Sequence, residues 1–309
     1  MAKFRLNSNI NSLFFLVIPT LFLVIGFLFF PDIIHKQDTL SQFLAIPLFI
    51  GLIILLTGFL FKKDVIAGKI KILGWIIFAF YWSVLPKTLY FGEEGDFVNA
   101  FICIIGVYVL FYFAYHEYLS ISRKEKISCL NWIAGASAIA GIIYFGFELT
   151  PLEIWLREVV AAQSAALLNL FTEGVTVESV YISYKSTSIR IIFACTGVQS
   201  MVIFVGMILA VEKLKIKRMI YGLLVAVVPV YFLNLFRNAL ITYLIGNNIT
   251  DFSTAHNIIG KGGSLIALVI LLLILIRFVP EVFDEIMSLT DLPKRKGPIE
   301  KFFKRIIRK

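Results

Sequence analysis

Eight stretches of this chain are apolar over lengths close to a bilayer crossing: roughly 12–30, 43–61, 72–86, 97–115, 128–147, 191–211, 219–245 and 256–279. About 20 helical residues cover the ~30 Å of a hydrocarbon core. Inside lipid the backbone must bond to itself, so stretches of this kind are read as helices. With 59% hydrophobic residues and a mean hydropathy of +0.89, the chain carries more apolar surface than a soluble domain of 309 residues can hide. The expected fold is an all-α polytopic membrane protein of about eight transmembrane helices. The third stretch is the shortest and is flanked by Trp and Tyr, so its limits are the least defined.

The net charge of +9 is distributed by side. If the N-terminus is inside, the inner segments hold Lys3 and Arg5, then Lys62, Lys63, Lys69 and Lys71, then Arg123, Lys124 and Lys126, then Lys213, Lys215, Lys217 and Arg218, and finally the run from Arg277 to Lys309. The outer segments hold only Lys36, Lys87, Arg157, Lys185 and Arg190. The positive-inside rule then puts both termini in the cytoplasm of a multi-pass protein of the cell membrane. Residues 1–279 read as a single transmembrane catalytic domain with an outer insert at 148–190. Residues 280–309 read as a basic cytoplasmic tail, attracted to anionic lipid rather than to nucleic acid. Arg277 reads as an interfacial anchor, with a functional role left open. His35 and His116 read as loop and interface residues.

The outer insert is acidic, with Glu148, Glu153, Glu158, Glu173 and Glu178. Thr150-Pro151-Leu152-Glu153 has the form of a helix start capped by Thr150. Apolar residues from Leu152 to Phe171 then recur at helical spacing, which predicts an amphipathic outer helix. After Gly174 the period changes to two, through Val175, Val177, Val180, Ile182 and Tyr184. This predicts a small β-hairpin between the fifth and sixth spans, either a plain structured loop or an edge for an extended peptide.

Chemistry-bearing residues are few. Cys103, Cys129 and Cys195 form an odd set with no CxxC pair and no histidine spacing for zinc, so no disulfide, metal or cofactor is expected. Cys195 opens the sixth span, Arg237 comes late in the seventh, and His256 opens the eighth. In the charge-derived orientation all three fall at the outer face. A charged Arg in an apolar span is costly and marks a functional site. A Cys in the first turn of a helix near an Arg is favoured as thiolate, and a His, here capped by Ser253 or Thr254, can move protons. Asn234 and Asn238 stand four apart, on one helix face, where they could steady the guanidinium. Cys103 and Cys129 read as packing.

Ala194-Cys195-Thr196-Gly197, Asn234-Leu235-Phe236-Arg237-Asn238 and Ala255-His256-Asn257-Ile258-Ile259-Gly260, in that order, resemble the exosortase/archaeosortase family. The Cys-Thr-Gly form and the Ala-His-Asn-Ile-Ile-Gly-Lys run are similar to its archaeosortase A type. The resemblance implies a membrane cysteine transpeptidase with Cys195, Arg237 and His256 catalytic. Its substrates would be surface proteins with a C-terminal Pro-Gly-Phe-like motif, a transmembrane helix and a basic tail. They would pass through a thioester on Cys195 to a membrane lipid acceptor. Thr196, Asn234, Asn238, Asn257 and Lys261 are the candidate substrate-binding or supporting residues. Lys261 either meets an acceptor phosphate or snorkels to the interface. The competing classes are a transporter or channel binding an anionic substrate at Arg237, and a scaffold or receptor with the outer helix and hairpin as its binding module. No inverted repeat is visible in the sequence.

Overall fold

A computed structural model describes residues 2–32, 34, 39–61, 64–92 and 97–307; His35 lies outside them. The chain order is α1 (Ala2–Phe29), α2 (Thr39–Leu60), α3 (Asp64–Phe91), α4 (Phe97–Arg123), α5 (Ser128–Glu148) and α6 (Leu152–Asn169). Strands β1 (Val175–Glu178), β2 (Tyr181–Tyr184) and β3 (Thr187–Arg190) lead to a 3₁₀ turn, Phe193–Thr196. Then come α7 (Val198–Leu209), α8 (Ile216–Gly246), a π-helical stretch Thr254–Gly262, α9 (Gly263–Phe278) and α10 (Pro280–Thr290). A second 3₁₀ turn, Leu292–Arg295, precedes α11 (Pro298–Ile307). Among the described residues six helices are long and apolar enough to cross a membrane, and Phe14–Phe29 and Val198–Leu209 are shorter apolar helices. The fold is all-α and polytopic, as the sequence predicts, with one small sheet.

The third span is longer than its apolar core suggests, because α3 continues through Pro86 to Phe91. Lys87, one residue on, pairs with Asp32 at 2.8 Å and donates to the Phe30 carbonyl at 2.8 Å, tying down this end.

Backbone contacts divide the chain into two compact units, 1–138 with 284–309, and 139–283. In the first, α3 packs against α1, α2 and α4. The crossing of α2 and α3 is close because a glycine faces it from each side. A Cβ on Gly51 would lie 2.9 Å from the Phe78 nitrogen, and one on Gly74 would lie 2.9 Å from that of Leu55. Lys71, expected at a loop, is buried on α3 and pairs with Glu117 of α4 at 2.6 Å, both side chains under a tenth exposed. His116 is also fully buried, not interfacial as expected, since residues 284–307 cover it. Within this segment, Glu300 accepts from Tyr112 at 2.9 Å and Arg295 donates to Glu125 at 2.6 Å.

The second unit holds the insert at 148–190. One face of α6 buries Val160, Ala161, Ala165 and Leu168 against the sheet and α8, while Trp155, Leu170 and Phe171 stay exposed. Thr150 does not cap α6. Its hydroxyl turns back to the Gly146 carbonyl at 2.8 Å, closing the end of α5, and Pro151 holds the N-cap position without a side-chain bond. The sheet is an antiparallel three-stranded meander, β1-β2-β3, rather than a two-stranded hairpin. Its turns place Ser179 at φ 51° and Lys185 at φ 53°, a region more often signalled by Gly or Asn.

Removing one partner of a buried ion pair strands the other charge. Glu117→Ala is therefore expected to destabilise the protein by about 3 kcal/mol. The double change Lys71→Met with Glu117→Leu should cost less than either single change. Thermal unfolding of the purified single and double variants measures both.

Candidate active site

Cys195 sits in the 3₁₀ turn and not, as expected, in the first turn of an α-helix. Its N–H donates to the Ile192 carbonyl at 2.9 Å. The Thr196 hydroxyl donates to the Phe193 carbonyl at 2.7 Å and accepts weakly from the Val198 N–H at 3.4 Å. Gly197 then takes a left-handed φ of 77°, and α7 begins only after it. This reversal detaches the cysteine from the helix. Glycine is required twice over, since a Cβ here would also sit 3.0 Å from the Asn234 side chain.

Two amides hold the turn. Asn234 Nδ2 and Asn238 Nδ2 donate to the Cys195 carbonyl at 2.8 and 2.9 Å. They are one turn apart on α8, so both reach the same oxygen. Their donors thus go to the cysteine backbone, whereas the sequence suggested support for the guanidinium. The approach to the turn is held by Arg157 of α6, whose Nε donates to the Ile191 carbonyl at 2.7 Å while its Nη1 lies 3.5 Å from Glu153. Arg157 was missed in the sequence, where it read as an outer-loop charge. A basic residue one turn after Glu153 on a helix with a buried face was the available signal. Cys195 belongs to a buried cluster with Val160, Ile191, Leu235 and Ala239 and is 7% exposed.

Arg237 stands three residues after Asn234, on the neighbouring flank of α8, and the Cys195 carbonyl is taken by the two amides. It lines a cavity of about 300 Å³ together with Gly197, Ser200, Asn234, Gly260 and Ser264. Its Nε is buried and has no hydrogen-bond partner among the described residues. Gly260 makes room for it, because a Cβ there would approach that nitrogen to 3.0 Å. A buried donor nitrogen left without a partner is costly, and one that lines a cavity can meet an acceptor that enters it.

His256 lies one turn before Gly260 in the π-helical stretch. Wide turns of this type are frequent at functional sites. Its ring stacks on Phe252, with centroids 5.3 Å apart and planes 7° from parallel. The segment is started by Asp251 rather than by Ser253 or Thr254. Its carboxylate accepts from the Thr254 N–H at 2.9 Å and hydroxyl at 2.7 Å, which holds the exposed carboxyl below its ordinary pKa. Ala255, beside the histidine, packs on Ile189 of β3 and Ile241 of α8. The structure thus groups Cys195, Thr196, Asn234 and Asn238, and puts Arg237 at an adjoining cavity with Gly260. Lys261 is exposed, and the Asn257 side chain lies outside the described residues.

Residues 62–275 match the family model of the transmembrane exosortases, Exosortase_EpsH. The chain belongs to that family. Among curated proteins, this exosortase-family chain is 24% identical over 271 residues to archaeosortase A of Natronomonas pharaonis, covering 75% of this chain and 84% of that one. It is 26% identical over 201 residues to archaeosortase A of Haloferax volcanii, covering 58% of this chain and 63% of the relative. No solved structure matches.

A buried carbonyl that loses every donor costs about 1–3 kcal/mol. Asn234→Leu and Asn238→Leu alone each leave one donor on the Cys195 oxygen and should be mild. The double variant should lose about 2 kcal/mol, more than the sum of the singles. A double-mutant cycle of thermal unfolding reads this coupling.

Proposed function

We propose that this exosortase-family protein is a membrane transpeptidase that cuts C-terminal sorting signals from surface proteins and transfers them to a membrane lipid. The observation that carries this reading is a pinned cysteine turn beside a cavity lined by the half-buried Arg237, whose buried Nε has no hydrogen-bond partner among the described residues. The name archaeosortase A, borne by both curated relatives, supports it.

In this reading the Cys195 sulfur attacks the scissile carbonyl carbon, and its proton passes to His256. Arg237 donates to the oxyanion that develops as the C–S bond forms. When the C–N bond breaks, His256 returns the proton to the departing amine, leaving a thioester on Cys195. A nucleophilic group of the acceptor lipid then attacks the thioester and frees the thiol. The apolar wall of the cavity keeps water scarce, which favours transfer over hydrolysis. Lys261, exposed in the helix that carries His256, is positioned in sequence to meet an acceptor phosphate.

The same proposal sets both termini in the cytoplasm and the Cys195 turn at the outer face, where a substrate helix delivers its scissile bond. The substrates are surface proteins ending in a Pro-Gly-Phe-like motif, an apolar helix and a basic tail. Such a tail matches the side on which this chain gathers its own basic residues.

Intact masses of the host's surface proteins of that form should show the tail lost and a lipid gained in wild type, and neither in Cys195→Ala. Identical processed masses in both would remove Cys195 as nucleophile and favour a carrier that uses Arg237. Arg237→Lys keeps the charge but loses the fork of donors. It should slow processing by about a hundredfold without reducing protein level.

A further inference from the structure

Far along the chain from Cys195, the first unit holds a second and larger cavity, of about 870 Å³. One wall is apolar and comes from Leu16 of the apolar helix α1 and from Ile105 and Val109 of the membrane-length helix α4. The other is the docked C-terminal segment, which lines the cavity with Lys294, Lys296, Lys301 and Lys304. All four lysines are exposed.

The docking explains why these charges are available. Glu300 also lines the cavity, but its carboxylate is taken up by α4. It accepts from the Tyr112 hydroxyl at 2.9 Å and the Tyr115 hydroxyl at 3.3 Å, and lies 3.2 Å from His116 Nε2. Arg295 is also committed inward, to His116 Nδ1 at 3.0 Å, Ser120 at 3.2 Å and Glu125 at 2.6 Å. Gly297 lets the segment close on α4, since a Cβ there would clash with the Tyr115 hydroxyl oxygen. The lysines are left on the outer rim. Lys294 has an exposed partner, Asp291, at 2.7 Å, a pair that contributes little in water.

We propose that this cavity is a binding site for an anionic phospholipid of the adjoining leaflet, its phosphate among the four lysines and an acyl chain along Leu16, Ile105 and Val109. Charge selects the occupant. A basic peptide is repelled by the rim, and a zwitterionic lipid carries no net charge to answer it. A free phosphate leaves the apolar wall unfilled. The volume lies within the ~300–1,000 Å³ of small-ligand sites. Glu300 is a positioning residue: it fixes α11 so that Lys301 and Lys304 face the cavity. The site is independent of the chemistry at Cys195.

The test uses full-length, delipidated protein in detergent, titrated with dioleoylphosphatidylglycerol or dioleoylphosphatidylcholine, with bound lipids counted by native mass spectrometry. One phosphatidylglycerol per chain should be retained at least tenfold more tightly than phosphatidylcholine. Combined K294Q, K296Q, K301Q and K304Q should abolish that preference. Val109→Trp, which fills the apolar wall and leaves every lysine, should also lose the lipid. Glycerol 3-phosphate, which has the headgroup charge without chains, should not compete. Equal retention of the two lipids overturns the proposal. So does phosphatidylglycerol binding that survives Val109→Trp, which would mean diffuse surface attraction, or full competition by glycerol 3-phosphate. Cross-linking of wild type with a photoactivatable phosphatidylglycerol needs no variant to fold. Labels on α1 and α4 support the site, and labels only elsewhere refute it.

Discussion

The Cys195 carbonyl oxygen leaves the regular hydrogen-bond ladder, because Gly197 reverses the chain two residues later. Non-helical backbone among apolar helices is stable only where its polar groups find partners within the protein. Asn234 and Asn238 supply both partners from one face of α8, and Arg157 does the same for the Ile191 carbonyl upstream. The rest of the second unit follows from that requirement. The sheet, α6 and α8 pack in one buried cluster with the turn. Arg237, on the flank of α8 beside Asn234, lines the cavity with it.

The long elements were legible because their signal is length and hydropathy, which lipid enforces whatever the packing. All eight apolar stretches contain helix, and the amphipathic helix α6 runs where its spacing put it. What escaped was local and polar. The second turn of the meander uses Lys185 at positive φ, with no glycine or asparagine to announce it. Thr150-Pro151 fits a capping pattern, yet the hydroxyl found the end of α5 closer at hand. Asp251 starts the helix that Ser253 and Thr254 appeared fit to cap, because its carboxylate takes two donors from Thr254 at once.

Of the candidate site, the residue types and their order were legible; their partners were not. Asn234 and Asn238 are visible as a pair at a spacing of four. That their donors converge on a backbone oxygen 39 and 43 residues earlier is a tertiary fact. The buried Lys71–Glu117 pair and the inward-facing His116 were hidden for the same reason. Each reads as a surface charge until a neighbouring element covers it. Residues 284–307, a basic tail by composition, divide their charges: Arg295 and Glu300 fasten the segment, and the lysines face out.

The central claim is that the pinned turn presents a nucleophile, and an acyl-enzyme adduct tests it most directly. Full-length protein in proteoliposomes would be mixed with a substrate's C-terminal segment, quenched in acid, and its intact and peptide masses measured. The account predicts a hydroxylamine-sensitive adduct on the Cys195 peptide, equal in mass to the segment's N-terminal part less water. It also predicts that the adduct accumulates when acceptor lipid is withheld. Turnover of the segment with an adduct on another residue, or turnover undiminished in Cys195→Ala, would contradict it.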